Sequence, residues 1–118
     1  MKRGKIEIKN KEVFIYPVDG ALWLTKHQIA ELFGIFVSTV GRDIQSILKS
    51  GYLEQGNVVL QKKHIDGVVI ELYSLEMIIA LAFRIRSEKA EVFRSWVVRR
   101  TVNDFEICTL SQIDTMLN

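Results

Sequence analysis

The amino-acid sequence predicts an α+β fold, and three observations support this prediction. Residues 25 to 50 contain two short amphipathic patterns of helical period separated by a glycine. Runs of alternating or β-branched residues precede and follow them, as is typical of strands. From residue 74 onward the apolar spacing is again helical. We therefore expect the 118 residues to form a single domain with a β-hairpin or meander (1–24), two helices (25–50), a second β-hairpin (57–73) and additional C-terminal helices (74–118).

The first helix is predicted from its two ends. Thr25 is a favourable N-cap, and Gln28 three residues later completes a capping box, in which each side chain bonds to the backbone amide of the other residue. Gly34 can adopt the left-handed conformation that commonly ends a helix. The sequence therefore predicts a helix from Lys26 to Phe33.

The second helix is predicted from its amphipathic pattern. Its apolar stripe consists of Val40, Ile44, Ile47 and Leu48. The polar residues that face away from this stripe are Ser38, Arg42, Asp43, Gln45, Ser46 and Lys49. Gly51 follows as the terminating glycine, so we predict a helix from Val37 to Ser50.

Two short helices joined by a turn containing glycine match the pattern of a helix-turn-helix. In that motif the second helix enters the DNA major groove with its N-terminal residues on base edges, and the first helix lies over the DNA backbone. We expect contacts to double-stranded DNA from Lys26, Ser38, Thr39, Arg42, Gln45, Lys49, Lys62 and Lys63. Asp43 also belongs to the polar residues of the second helix on which this functional hypothesis centres. An αα-hairpin that packs helices without contacting DNA is the alternative, and apolar spacing alone does not separate the two interpretations.

Strands are predicted on both sides of the helix pair. Lys5–Lys9 and Val13–Pro17 alternate in polarity around a turn at residues 10 and 11, and an Asp-Gly turn at 19 and 20 leads to a strand at 21–24. After the second helix, residues 58–60 and 68–73 read as a hairpin with a charged tip at 61–67, which would be the wing of a winged helix-turn-helix. Lys62, Lys63 and His64 at this tip could contact DNA phosphates or be simply solvated.

Two or three further helices are predicted in the C-terminal part. Ser74 caps a helix that is apolar on nearly every side, Ser87 caps a second, and Asn103 with Glu106 resembles a capping box that opens a short final helix ending near Leu117. The core prediction is that Val40, Ile44 and Leu48 face Met77, Ile78, Phe93 or Trp96.

A basic stretch lies between residues 84 and 100. It holds six basic residues against two acidic ones, and we predict Arg94 and Arg99 among its outward-facing side chains. This stretch could line a nucleic-acid face, and a solvated helix surface with ion pairs explains it nearly as well.

Charge, residue composition and the motifs present exclude several classes of function. The net charge of +2, from 16 basic and 14 acidic residues, only mildly favours a polyanionic partner. One cysteine and two histidines provide neither an internal disulfide nor a metal-binding pattern, so we expect no metal and no cofactor. We find no catalytic motif and predict that the chain is not an enzyme, with no small-molecule ligand evident. No apolar run reaches membrane-spanning length, and we expect a cytoplasmic protein without a membrane partner.

Three segments carry a family resemblance. They are LWLTKHQIAELFG (22–34), STVGRDI (38–44) and YSLEMIIALAFRIRSEKAEVFRSWV (73–97). Together they resemble the N-terminal region of the RhuM family of bacterial virulence-associated proteins, and the last is also similar to phage-type Bro N-terminal domains. The resemblance spans residues 13 to 100. It implies a bacterial, cytoplasmic DNA-binding protein with a winged helix, such as a transcriptional regulator or mobile-element protein, and it implies no catalytic residues.

The chain departs from the family pattern at the start of the second helix. Phe36 and Val37 stand where relatives tend to have a polar cap, and Gly41 stands where they have Ser or Thr. Exposed Phe36 and Val37 would suit a protein partner, so a protein-protein interaction module that keeps the helix pair as a scaffold is the alternative function. We nevertheless expect Phe36 to be buried in the core. A homodimer formed through residues 104–118 is a further prediction, because the apolar residues there have no obvious partner in the chain.

Overall fold

The computed structural model describes residues 3–64 and 66–117, with side chains as far as residue 104. In these ranges the protein is an α+β fold with two small antiparallel sheets and five helices. The strands are β1 (Lys5–Lys9), β2 (Glu12–Tyr16), β3 (Trp23–Leu24), β4 (Val59–Lys63) and β5 (Val69–Ser74), and the helices are α1 (Lys26–Phe33), α2 (Val37–Ser50), α3 (Gln55–Val58), α4 (Leu75–Ala82) and α5 (Glu88–Leu117).

The bounds of the two central helices are those predicted. Thr25 Oγ1 accepts a hydrogen bond from the Gln28 amide at 3.2 Å, and Gln28 Oε1 accepts one from the Thr25 amide at 2.9 Å, so the capping box of α1 is confirmed. Gly34 and Gly51 both adopt the left-handed conformation after their helices, with φ of 67° and 80°. Local capping chemistry thus sets three of the four helix ends.

The strands form two separate sheets, so of the two predicted alternatives the N-terminal hairpin is present and the meander is not. β1 and β2 pair as a hairpin, whereas β3 pairs with β5, giving a three-stranded sheet of order β3-β5-β4. The Asp-Gly turn at 19 and 20 is present between the paired residues Val18 and Ala21. The chain therefore passes from the hairpin into the other sheet just before α1.

The second hairpin differs from its predicted bounds. Residues 55–58 form the short helix α3, and the strands run from 59 to 63 and from 69 to 74. Lys62 and Lys63 consequently lie on β4, opposite Ile70 and Val69, and not on the hairpin tip as predicted. The polar residues 61–63 extend the ladder because each has a cross-strand partner on β5.

The buried side chains form one cluster that joins the helix pair to the later helices. Val40 and Ile44 of α2 lie in it together with Met77 of α4 and Phe93 of α5, as predicted. The Phe93 ring packs edge-to-face against Phe33 of α1, with 5.6 Å between ring centroids. The apolar stripe of α2 thus lies in the same core as α1 and the C-terminal helices.

The C-terminal helices differ from the prediction in two respects. α5 is one continuous helix, so Asn103 lies inside it and opens no separate helix; the side chain of Glu106 lies outside the described residues. Ser87 Oγ accepts a hydrogen bond from the Ala90 amide at 3.1 Å, as expected of a cap. Ser74 holds the cap position of α4, but its buried hydroxyl finds no hydrogen-bond partner among the described residues.

Candidate nucleic-acid interface

Four of the polar residues of α2 form an exposed stripe. Ser38, Arg42, Gln45 and Lys49 succeed one another at intervals of four, three and four residues, and all four side chains are exposed. This spacing places them along one face of the helix. The opposite face carries the buried residues Val40, Ile44 and Ile47. α2 therefore presents two hydrogen-bonding side chains and two cations to its surroundings on one line.

Lys26 lies on one flank of this stripe. A Cβ added to Gly41 would lie 3.9 Å from Cδ and 4.0 Å from Nζ of Lys26, so the lysine side chain extends over the glycine. Gly41 leaves room for this crossing because it has no side chain of its own. The result is an ammonium group from α1 beside the outer surface of α2.

Arg84 lies on another flank. Its Nη2 donates a hydrogen bond to Ser46 Oγ at 2.9 Å, and its Nε lies 4.0 Å from Asp43 Oδ1. Arg84 follows α4, so it joins the C-terminal part to the outer flank of α2. The guanidinium also offsets the negative charge of Asp43, whose side chain is only 16% exposed.

Thr39 and Asp43 are therefore less accessible than predicted. Both are partly buried, and with Ser46 they occupy positions that follow each other by four and three residues on the flank that faces Arg84. Thr39 was predicted to contact DNA together with Ser38, but only Ser38 belongs to the exposed stripe. The flank contact with Arg84 accounts for the partial burial of Asp43.

A groove separates the start of the helix pair from the second hairpin. It has a volume of about 760 Å³, and its lining comprises Thr25, Lys26, His27, Val37, Gln61, Val69, Ile70 and Glu71. Basic residues (Lys26 and His27) and an acidic residue (Glu71) all line this groove, so its charge is mixed. Exposed Lys62 and Lys63 continue β4 beyond it. The structure thus brings Lys26 next to both α2 and the hairpin.

Glu71 is tied to the sheet beneath it. Tyr73, two residues away on the same face of β5, donates a hydrogen bond from its hydroxyl to Glu71 Oε2. Burial raises the pKa of Tyr73 above its ordinary value, and the hydrogen bond to Glu71 raises the pKa further. The phenol therefore stays protonated and holds the carboxylate at the edge of the groove.

The basic stretch from residue 84 to 100 does not form one surface. Arg94 was predicted to face outward, but its Nη1 donates to the carbonyl oxygens of Ala82 and Ile85, at 2.7 Å each. It thereby satisfies backbone groups at the end of α4, where a cation is favourable. Arg84 turns toward α2, and Arg100 lies over the Trp96 ring, 5.8 Å from its centroid.

Two large aromatic side chains near α2 are exposed. Phe36 is 81% exposed, which shows that its predicted burial is wrong, and Tyr52 after the other end of α2 is 90% exposed. The reason lies in the turn, where Ile35 packs partly against the core and the following extended residue points outward. A benzyl group therefore stands at the N-terminus of α2.

Two residues beside the candidate interface were not among the predicted contacts. Arg84 bonds to Ser46 of α2, which lies 38 residues earlier in the sequence, and Arg3 lines a pocket together with Lys62 and Lys63 of β4. Nothing in the local sequence around either residue signals these contacts. The charge count of the 84–100 stretch included Arg84 but did not assign it to α2.

Comparisons with models of known protein families, with curated proteins and with solved structures give no match for this chain. Among the helices within the described residues, none has the length and apolar character needed to cross a membrane. The same residues contain no group of three or more His, Cys, Asp or Glu side chains suited to a metal ion. Function is therefore inferred from the chemistry of the surfaces described above.

Proposed function

We propose that this chain is a winged-helix DNA-binding protein that inserts α2 into the major groove of duplex DNA. The observation that carries the proposal is the exposed stripe of Ser38, Arg42, Gln45 and Lys49, which lies opposite the buried face of α2. Arginine reads guanine through two parallel hydrogen bonds, and glutamine reads adenine in the same way. Ser38 and Lys49 suit base or phosphate contacts at the two ends of the helix.

The surroundings of α2 support the proposal. Lys26 stands beside Gly41 and is placed to neutralise a phosphate while α2 occupies the groove. On the other flank, Arg84 offsets the carboxylate of Asp43, which would otherwise repel the DNA backbone. Both flanks therefore favour the approach of a polyanion.

The order of strands and helices agrees with the winged-helix part of the proposal. β3 leads directly into the helix pair, and β4 and β5 follow it and return to pair with β3. The hairpin of β4 and β5 would then be the wing, with Lys62 and Lys63 near DNA phosphates. In this arrangement the N-terminal hairpin and the helices α4 and α5 are additions to the DNA-binding unit.

The test is duplex binding measured by fluorescence anisotropy at about 50 and 200 mM salt, because phosphate neutralisation makes affinity fall steeply between these concentrations. We expect salt-dependent binding to random duplex DNA and tighter binding to a subset of genomic fragments. Affinity no tighter than about 10⁻⁴ M at the lower salt concentration would contradict the proposal, since that is the range of weak non-specific association.

A protein-protein interaction module is the second candidate, and exposed Phe36 and Tyr52 favour it. Large aromatic side chains are enriched where proteins bind each other. On this hypothesis Phe36→Ala abolishes binding to a protein partner, and the wild type shows no salt-dependent DNA affinity. The anisotropy experiment thus separates the two candidates.

We extend the proposal to biological class and assembly. A cytoplasmic bacterial protein of the RhuM type, acting as a transcriptional regulator or within a mobile element, fits the resemblance of residues 13–100. A homodimer through the end of α5 would let two α2 helices read two half-sites. Its residues from 105 onward lie outside the described side chains, so the measurement is sedimentation velocity. A monomer at tens of micromolar would contradict the dimer.

A further inference from the structure

A small basic pocket lies on the second hairpin, next to the groove beside the helix pair, with which it shares Ile70. Its volume is about 160 Å³, and its lining consists of Arg3, Lys62, Lys63, His64, Ile70 and Leu72. Lys62 and Ile70 are cross-strand partners, and Leu72 lies two residues further along β5. Alternation along a strand puts these three on the face of the sheet opposite Gln61, Glu71 and Tyr73.

The N-terminal segment is held against this face by its backbone. The Trp23 amide of β3 donates to the carbonyl oxygen of Arg3 at 3.0 Å. The next residue, Gly4, has φ of +82°, and a Cβ there would lie 2.6 Å from the carbonyl oxygen of Tyr16. Glycine is therefore required for the chain to pass this point. Arg3 is partly buried and fixed at the pocket by a close approach of two backbone segments.

The charges of the pocket all have the same sign. Four of the six lining residues are basic types and none is acidic. In the part of the chain with described side chains, none of these four forms an ion pair. Ile70 and Leu72 are the apolar members of the lining, and Lys62, Lys63 and His64 are exposed, so the basic groups remain accessible to an anion from solvent. Neighbouring positive charges repel one another, and a bound anion would offset this repulsion.

We propose that this pocket binds one phosphate group, with the Arg3 guanidinium as a bidentate donor and the Lys62 ammonium as a point charge. Guanidinium matches the geometry of phosphate oxygens, and a lysine ammonium adds charge without fixed geometry. The phosphate comes from the backbone of duplex DNA, and this part of the inference rests on the proposed function. The N-terminal segment then belongs to the DNA-binding surface together with α2.

The first experiment tests the pocket without DNA. Inorganic phosphate is titrated into the full chain while backbone amide resonances are followed by NMR. We expect saturable shifts at Arg3 and at residues 62–64, and at least a tenfold loss of phosphate affinity in Arg3→Gln and in Lys62→Gln. Lys11→Gln is the matched control. Lys11 is exposed in the turn of the β1-β2 hairpin, and its substitution removes the same charge.

The second experiment tests the source of the phosphate. Because Arg3 and Lys62 share one phosphate, Arg3→Gln should reduce the slope of log affinity for duplex DNA against log salt by up to about 0.9, the value for one phosphate contact. Arg3→Lys should restore the slope but not the full affinity for inorganic phosphate, because it keeps the charge and loses the fork. Circular dichroism is used to check that each variant is folded.

The outcomes separate this inference from the proposed function. If the wild type shows no saturable phosphate binding, or if Arg3→Gln and Lys62→Gln bind phosphate as Lys11→Gln does, the pocket is refuted even when DNA binding is intact. If phosphate binds and the variants lose it, the pocket is supported, and the absence of DNA binding would then contradict only the proposed function and the DNA source. An unchanged salt slope in Arg3→Gln refutes the DNA source alone.

Discussion

Arg84 donates a hydrogen bond of 2.9 Å to Ser46, and this contact joins the segment after α4 to the outer flank of α2. The same guanidinium lies 4.0 Å from Asp43. α2 carries the exposed stripe proposed to read DNA, and Asp43 is the only acidic residue of this helix. Its partly buried carboxylate lies beside a cation from another part of the fold. Arg84 thereby connects packing of the C-terminal helices to the electrostatics of α2.

Arg84→Gln should therefore weaken duplex binding through Asp43. Exposed ion pairs contribute about 0.2–1 kcal/mol, so we expect a loss of up to about fivefold in affinity at low salt. Asp43→Asn in the same chain should recover the loss, since it removes the uncompensated carboxylate. Anisotropy measurements on the single and double variants form the test.

Arg86→Gln is the control for this prediction. Arg86 is exposed and lies two residues from Arg84, and its substitution removes an equal charge. An effect of Arg86→Gln as large as that of Arg84→Gln, with no recovery by Asp43→Asn, would mean that only net charge matters.

Arg42 should determine sequence preference. It lies one turn into α2 in the exposed stripe, where a bidentate contact to guanine contributes about 1–3 kcal/mol of discrimination. Arg42→Ala is expected to bring the affinity for preferred fragments close to that for random duplex DNA. Lys62→Ala, by contrast, should weaken binding to every sequence and lower the salt slope by about 1. Competition assays with preferred and random duplexes distinguish these results, and equal losses on both duplexes in Arg42→Ala would contradict base recognition.

The sequence predicted what is decided locally. Thr25, Gly34 and Gly51 define ends of α1 and α2 within a few residues of themselves, so the helix bounds were correct. Asn103 carried a similar local signal, but α5 continues through it. The chain has its single proline at position 17 and its last glycine at position 67, so nothing in α5 breaks the backbone hydrogen bonds.

Long-range pairing was not predictable in the same way. The joining of β3 to β5 and the crossing of Arg84 to α2 depend on segments far apart in sequence. The candidate site shows the same division. Periodicity correctly predicted that Ser38, Arg42, Gln45 and Lys49 are exposed. The partial burial of Asp43 and Ser46, the bonding of Arg94 to the end of α4 and the exposure of Phe36 depend instead on how elements meet. Local patterns predict faces of elements, and packing determines which side chains remain free.

Tyr73 should make stability depend on alkaline pH. Burial and then the hydrogen bond to Glu71 raise its pKa in the folded protein, so the folded state retains a proton that the unfolded chain loses near pH 10. This contribution to stability is fully present below that pH and is lost as the pH rises through the higher folded pKa.

Tyr73→Phe, which has no phenolic proton, is the reference for this effect. We expect the wild type to exceed Tyr73→Phe by about 1 kcal/mol in the free energy of unfolding at neutral pH. The difference should shrink and then reverse in urea titrations as the pH is raised above 10. A difference that stays constant over that range would show that Tyr73 ionises equally well in the folded chain.

Gly4→Ala should destabilise the fold more than an alanine at another left-handed glycine. Gly20 is the matched position, with φ of +74° and no atom within 4 Å of an added Cβ, whereas a Cβ at Gly4 meets the Tyr16 carbonyl oxygen at 2.6 Å. Left-handed strain alone costs roughly 1–2 kcal/mol, which is the expected loss for Gly20→Ala. At Gly4 the backbone segments must also move apart, so we expect a larger loss in the free energy of unfolding. Equal losses in urea denaturation would mean that the N-terminal segment yields easily, and that Arg3 is not fixed at the basic pocket.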